Sequence, residues 1–250
     1  MAWIESHSQS FTARHETEDS EVARALLDRL ESFRGELAED FRETPGDVGV
    51  VIHPRELQLA LAHPWLPVAR VFAAPAARRY MAGWFSSDEV HVLAPGALRR
   101  RASRVPGSLE TLRLSPLHEY AHLVVGANNR GLPPPFNPGS FRRYLRWAWL
   151  CEGAATHFAG QTKHLRPAIG RRLREGEQPV FPPSTRDAPL LGGTIFALLE
   201  RLDGRRACAA LASRLDPAGA NAAIEHAFRD SVPNVEREWR RYLTRLTAGQ

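Results

Sequence analysis

Two histidines and a glutamate lie inside an apolar segment with the spacing of a buried helix, and this feature constrains the fold most. The segment from Leu117 to Val125 reads Leu-His-Glu-Tyr-Ala-His-Leu-Val-Val. It follows Ser-Pro, a good helix start because Ser caps free N–H groups and Pro suits the first turn, and it can stop at Gly126. His118 and His122 are four residues apart, so both project from one helix face. A fold that buries this helix must give its polar side chains partners.

The spacing of these residues is typical of a zinc site. Two imidazoles on one helix face are within reach of a single zinc ion. Glu119 lies about 100° around the helix from His118, so it stands outside that ligand plane and can accept a proton from water. Catalytic zinc takes three protein ligands, and no further His follows His122 before His157. The third ligand must therefore be another residue type or lie further along the chain.

Glu152 is the candidate for the third ligand. It lies in Trp-Leu-Cys-Glu-Gly-Ala-Ala, an otherwise apolar helical stretch downstream of His122. A buried carboxylate without a partner is costly, so metal ligation explains Glu152 better than packing does, with a structural salt bridge as the alternative. Cys151 is a soft possible ligand, but its neighbouring helical position points it elsewhere. We interpret Cys151 as a small core residue.

His-Glu-Tyr-Ala-His followed by Trp-Leu-Cys-Glu-Gly-Ala-Ala resembles the gluzincin metallopeptidases, which carry HExxH plus a downstream Glu and include thermolysin-like enzymes and the aminopeptidase N type. The chain is most similar to short bacterial peptidase MA-like domains, over residues 10 to 247. The resemblance implies Zn²⁺ as the cofactor, held by His118, His122 and Glu152. It implies Glu119 as general base, and a hydrolase (protease) activity in which a zinc-activated water cleaves peptide bonds.

The resemblance also implies that a peptide or protein substrate pairs with a sheet edge, here the predicted strand Glu89–Leu93. A second hydrogen-bond donor would hold the oxyanion beside the metal. Related domains often have a Tyr before the helix that starts here near Gly192, but this chain has Leu190 and Leu191. The remaining candidates for the donor are Tyr144, His157, His164 and an Arg.

Two functions stay open at this point. The Gly-x-Met-Glu-Asn motif with which exo-acting gluzincins grip a free amine is absent, which favours an endopeptidase. The alternative is a catalytically weak zinc-binding protein that recognises peptide or protein partners along its edge strand. The missing Tyr favours this alternative, whereas the presence of Glu119 argues against it. The Pro-rich loop Leu132–Pro138 lies between the ligand-bearing helices and could cover the cleft, which Trp84 could line.

The remaining pattern predicts an α+β fold, a zincin-like domain with a small N-terminal mixed sheet and a mostly helical C-terminal half. We expect a zinc-carrying catalytic lobe over residues 1–165 and a helical lobe over 166–250, together one compact unit. Alternation and apolar runs predict strands at Ser10–His15, Val48–Ile52, Tyr80–Phe85 and Glu89–Leu93. Helical spacing predicts helices at Thr17–Phe41, Leu117–Val125 and Phe141–Thr162, with three or four more between Pro189 and Thr247.

Composition excludes several classes of partner. Of the 33 basic residues all but Lys163 are Arg, and the net charge is +5. The run Arg99–Arg101 with Arg104 could contact phosphates, but no aromatic residues interleave it. We interpret it as a solvated loop and expect no nucleic-acid partner. No run approaches the length of a membrane span. Two cysteines and the absence of a signal-peptide pattern favour cytoplasmic residence. The oligomeric state is not indicated.

Overall fold

The structure, a computed structural model, describes residues 2–248, and its N-terminal part contains a small mixed sheet. The strand order is β1-β2-β3-β5-β4. Neighbours β2, β3 and β5 are parallel, whereas β1 and β4 run antiparallel at the two edges. The strands are β1 Trp3–His7, β2 Phe11–Glu16, β3 Val48–His53, β4 Trp84–Phe85 and β5 Glu89–Leu93.

Helices fill the rest of the described chain, and all regular structure after β5 is helical. The predicted α+β class with a helical C-terminal half is therefore confirmed. The helices are α1 Ser20–Ala38, α2 Glu56–Ala62, α3 Trp65–Phe72, α4 Pro95–Arg101, α5 Ser108–Arg113, α6 Ser115–Asn128, α7 Pro138–Arg146, α8 Ala148–Phe158, α9 Arg166–Arg174, α10 Ala188–Asp203, α11 Arg205–Ala212, α12 Ala220–Phe228 and α13 Val232–Thr247.

The sheet carries helices on both faces. Helix α1 packs on β2, and α6 packs on β4 and β5. Phe11, Val50 and Val90 project from this face into the main core, which extends through α6, α8 and α10. The other face meets α2 and α4 through a smaller cluster that includes Leu59 and Leu93. Alternating apolar residues on both faces explain why these short strands are buried on two sides.

Strand β4 forms the sheet edge beside β5, so the prediction that Glu89–Leu93 forms the edge was wrong. The chain reverses after Phe85, and Trp84 and Phe85 pair with β5 on its outer side. The predicted strand Tyr80–Phe85 is correspondingly short. Its earlier part is not a strand because the Met81 carbonyl accepts hydrogen bonds from the Arg70 guanidinium, at 3.0 and 2.7 Å, instead of joining a ladder.

Two helix predictions also need correction. The single helix predicted over Phe141–Thr162 is broken at Trp147 into α7 and α8, and α7 already begins at Pro138 behind a capping box of Asn137 and Ser140. Helix α6 runs two residues past Gly126, and no side chain caps its start. The Ser115 hydroxyl instead donates to the Leu112 carbonyl at 2.7 Å, because α5 leads almost directly into α6.

Helices α8 and α10 approach closely through glycines. A Cβ on Gly192 would lie 2.6 Å from the Trp149 carbonyl oxygen and 2.8 Å from the Gly153 Cα. The Gly-Gly-Thr segment of the sequence thus lets α10 lie against the backbone of α8, the helix that carries Glu152. The predicted division into two lobes near residue 165 falls between α8 and α10 in the chain. These two helices contact each other closely, and the division stays a prediction. In residues 2–248 none of the helices has the length and apolar character of a membrane span.

Candidate metal centre

Helices α6 and α8 bring His118, His122 and Glu152 to one point. The two Nε2 atoms of His118 and His122 are 3.1 Å apart. The Glu152 carboxylate oxygens lie 3.4 Å from the His122 Nε2 and 3.6 Å from the His118 Nε2. Within the described chain this is the group of three His, Cys, Asp or Glu side chains close enough to share a metal ion.

The distances fit a zinc ion. With zinc–nitrogen and zinc–oxygen bonds of about 2.0–2.2 Å, donor atoms at the corners of a tetrahedron are separated by about 3.3–3.6 Å. Two of the three separations in the structure lie within this range, and the third, at 3.1 Å, lies slightly below it. Two neutral nitrogens and one carboxylate also form a donor set that catalytic zinc sites use. The predicted ligands are therefore brought together in a geometry that zinc could occupy with little movement.

Gln161 orients one of these imidazoles. Its amide nitrogen donates to the Thr111 carbonyl at 2.9 Å, so its amide oxygen faces the His118 Nδ1, also at 2.9 Å. The Nδ1–H of His118 then donates to Gln161, and its Nε2 points at His122 and Glu152. Metal-ligating histidines are commonly oriented by such a second hydrogen bond. The sequence did not indicate Gln161, which follows α8 and contacts α6 only in the folded chain.

The charges of the three groups suit a cation. Burial lowers the pKa of His122 to about 3, so this imidazole is neutral. Burial opposes ionisation of Glu152, but His118, His122 and Tyr144 together lower the pKa of Glu152 to about 2. Although burial works in the other direction, the neighbouring Glu152 raises the pKa of His118. A bound metal ion would supply positive charge beside the ionised Glu152 carboxylate.

Glu119 is buried beside the three candidate ligands. A Cβ on Gly83 would lie 2.5 Å from the Glu119 carboxylate. Burial raises the pKa of Glu119 to about 8, His118 lowers it in part, and Glu152 raises it further. Near neutral pH this carboxyl is therefore largely protonated. A cation bound beside it would lower its pKa and favour the carboxylate that a general base needs.

Tyr144 reaches the centre from α7. Its hydroxyl donates to the Glu152 carboxylate. Among the four candidates for the second donor, Tyr144 is the one that the described structure brings to the ligand group. The break at Trp147 makes this contact possible, because eight residues of continuous helix would separate Tyr144 and Glu152 by about 12 Å along the axis.

Aromatic side chains pack against the candidate ligand His122 and against Tyr144. The Phe85 ring stacks on His122 with centroids 4.4 Å apart. Phe136, from the Pro-rich loop, packs 5.1 Å from Phe85, 5.9 Å from Trp84 and 6.3 Å from Tyr144. Phe136 of this loop therefore lies over strand β4, beside Trp84.

The other candidate residues lie elsewhere. His157 is 3.7 Å from Glu200 on α10, and His157 and His164 line a cavity of about 480 Å³ between α1, α8 and α10. None of the three predicted metal ligands lines that cavity. Cys151 is buried without a disulfide partner, and burial raises its pKa well above the usual value. It behaves as the small core residue that we predicted.

Three histidines from separate segments of the chain form a second cluster. The His53 Nε2 is 3.0 Å from the His91 Nδ1, and the His63 ring lies 4.0 Å from that of His91. His63 also stacks on Trp84 at 5.7 Å. Parallel pairing of β3 and β5 brings His53 and His91 to one sheet face. The sequence could not reveal this cluster, because strand register cannot be read from separate segments.

Comparison with known proteins adds no further constraint: the chain matches none of the models of protein families, none of the curated proteins and none of the solved structures searched. The geometry of the centre and the motifs that predicted it are therefore the features that point to a function.

Proposed function

We propose that this protein is a zinc-dependent metallopeptidase in which His118, His122 and Glu152 hold the metal and Glu119 is the general base. The observation that carries the proposal is the convergence of three donor side chains at 3.1–3.6 Å, with a buried carboxyl next to them. A purely structural zinc site would have four protein ligands and no need of that carboxyl. Three ligands leave one position for a reacting molecule.

The residues of the chain can perform the proton transfers of peptide hydrolysis. When bound, zinc would supply a Lewis acid that polarises the scissile carbonyl and lowers the pKa of water. Water adds to the carbonyl carbon as Glu119 accepts one of its protons. Glu119 then delivers that proton to the amide nitrogen, and the C–N bond breaks to give a carboxylic acid and an amine. Without a metal, burial raises the pKa of Glu119 to about 8, so this carboxyl is largely protonated at neutral pH. The positive charge of a bound zinc would lower that pKa and favour the carboxylate that accepts the proton.

Edge strand β4 is the proposed track for an extended peptide. Gly83, next to β4, adjoins Glu119, and Phe85 within it stacks on His122. A peptide paired with β4 would therefore pass the ligand group, with main-chain hydrogen bonds supplying part of its affinity. The aromatic rings of Trp84 and Phe136 favour apolar substrate side chains at this edge. An endopeptidase remains the preferred form, since no amine-binding motif is present in the sequence.

The second candidate function is zinc-dependent peptide binding with weak or no hydrolysis. Two observations favour it. The Tyr144 hydroxyl is engaged by Glu152, so it is not free to hold an oxyanion. Phe136 packs against both residues of β4, which limits the length of peptide that can pair there.

The test is hydrolysis of an unstructured protein by the zinc-loaded wild type and by Glu119→Gln. We expect cleavage by the wild type and a loss of at least about a hundredfold in the variant, because general-base catalysis contributes about 10²–10⁴-fold. Zinc content should stay at about one per chain in both, since Glu119 is not a ligand. Glu110→Gln, which removes an exposed carboxyl from α5, is the matched control and should cleave like the wild type.

The outcomes separate the two functions. Cleavage that persists in Glu119→Gln would contradict the assigned base. Zinc bound in both proteins without cleavage in either would support the peptide-binding function instead. In that case Tyr144→Phe should leave peptide affinity within about a factor of two, because the hydroxyl faces Glu152 rather than the peptide track.

A further inference from the structure

Helices α2 and α3 form a hairpin whose outer surface is apolar. Each helix buries one leucine, Leu59 in α2 and Leu66 in α3. On the outer side, large apolar side chains recur at helical spacing and are mostly solvent-exposed. They are Leu57, Leu61, Val68, Val71 and Phe72, with exposed fractions of 67%, 73%, 43%, 66% and 71%. An exposed apolar surface of this kind marks an interaction site.

The surroundings of the hairpin are strongly basic. Between residues 54 and 109 there are eight Arg but only three acidic residues, a surplus of five positive charges that equals the net charge of the whole chain. Between Leu57 and Ser87 there is no acidic residue. Two of the three acids are paired with arginine, Glu56 with Arg101 and Glu89 with Arg14.

The fold brings these arginines to the rim of the apolar surface. The Arg100 guanidinium donates to the Pro54 carbonyl at 3.2 Å, so the exposed end of α4 with Arg99 lies against the start of α2. Next to the end of α3, the Arg78 guanidinium donates to the Val71 carbonyl at 3.0 Å. Exposed Arg55 directly precedes α2. Positive charge therefore lies at the start of α2 and at the end of α3.

We propose that the α2–α3 hairpin docks this protein on an anionic lipid membrane surface. An apolar helical face rimmed by arginine is the pattern of interfacial helices, which lie in the plane of the membrane and insert shallowly. The arginines would contact lipid phosphates while the exposed leucines and Phe72 enter the acyl boundary. A second copy of the chain is a poorer occupant, since it would bring the same positive rim against this one. Docking requires no metal and is independent of the proposed peptidase activity.

The experiment is co-flotation of the full chain with vesicles of phosphatidylcholine, with or without phosphatidylglycerol, at low and high salt. We expect binding to the vesicles that contain phosphatidylglycerol, weaker binding at high salt, and little binding to phosphatidylcholine alone. The double variant Leu61→Gln/Phe72→Gln should lose binding by at least about tenfold. The double variant Val180→Gln/Leu202→Gln removes equally exposed apolar residues elsewhere and should bind like the wild type.

A second pair of variants tests the charge contribution. Arg55→Gln/Arg99→Gln should weaken binding to the anionic vesicles about thirtyfold, because each arginine at an anionic surface contributes about a factor of five. Arg24→Gln/Arg29→Gln, on exposed positions of α1 across the sheet, is the control and should have little effect. Equal melting temperatures would establish that the four variants are folded.

Three outcomes would overturn the proposal. The first is no flotation with the anionic vesicles, and the second is unchanged flotation of Leu61→Gln/Phe72→Gln. The third is a dimer in sedimentation velocity that the same two substitutions dissociate, with no vesicle binding. That result would identify the hairpin as an interface between copies of the chain.

Discussion

Single residues in the candidate centre are fixed by contacts that leave them little freedom. His118 is bounded by Gln161, Glu152 is bounded by Tyr144, and Glu119 lies against the bare Cα of Gly83. Each contact involves an element other than the one that carries the ligand. Substitutions at these neighbours should therefore alter the chemistry without removing a ligand.

Gly83→Ala tests the position of Glu119. The added methyl would lie 2.5 Å from the carboxylate oxygen, and the flexible Glu119 side chain is the group that must move. We expect peptide hydrolysis to fall by about a hundredfold, since small misplacement of a catalytic group has effects of that size, while zinc content stays unchanged. Gly35→Ala, with nothing within 4 Å of the new Cβ, is the matched control. Hydrolysis at the wild-type rate by Gly83→Ala would contradict the role of Glu119.

At the scale of single residues, the short motifs of the sequence predicted four members of the candidate centre: His118, Glu119, His122 and Glu152. Helical spacing connects His118 with His122, and burial of a lone carboxylate points to Glu152. Gln161 was not indicated by the sequence, and Tyr144 was one of several candidates for the second donor among which the sequence did not choose. Their contacts depend on where α7 and α8 separate, and that break at Trp147 has no Pro or Gly to mark it.

At the scale of elements, the glycine contact between α8 and α10 sets the position of Glu152. Gly192→Ala would place a methyl 2.6 Å from the Trp149 carbonyl, which is backbone and cannot move without moving α8. We expect a loss of about 1–3 kcal/mol in the free energy of unfolding and a weaker zinc affinity. Urea unfolding and zinc titration against a chelator would measure the two effects.

The control for that substitution is again Gly35→Ala, which should leave the protein unchanged or stabilise it by up to about 1 kcal/mol. A Gly192→Ala protein with wild-type stability would show that α10 does not constrain α8.

Most helices and strands with a strong hydrophobic periodicity were predicted, and most of the short elements were not. Strands β2, β3 and β5, helix α1 and the four helices after Ala188 match their predictions closely. Strand β1, helices α2–α5 and α9 were not predicted, because segments of five to nine residues carry too little periodicity. The position of β4 at the edge, outside β5, depends on strand order, and separate segments do not specify strand order.

At the scale of the whole molecule, the buried histidine pair makes stability depend on pH. Burial, with a contribution from His63, lowers the pKa of His53 to about 4, and burial with neighbouring positive charges lowers that of His91 to about 3. The unfolded chain binds these protons near pH 6.5 and the folded chain does not. Their contribution to stability is therefore present above pH 6.5 and is lost as the pH falls from there towards 4.

Between pH 7 and pH 5 the wild type should lose about 2 kcal/mol more unfolding free energy than His53→Gln, measured by urea unfolding at both values. His7→Gln, an exposed histidine on β1, should keep the wild-type difference. If His53→Gln lost as much stability as the wild type, protonation of this pair would not govern the pH dependence.

The proposed function depends most on the metal, and the decisive measurement is zinc per chain by elemental analysis after repletion and removal of free metal. We predict about one zinc in the wild type and in Glu119→Gln, and a strong loss in Glu152→Ala, which removes one of three ligands. No zinc in the wild type, or full zinc in Glu152→Ala, would contradict the assignment of His118, His122 and Glu152 as the metal centre.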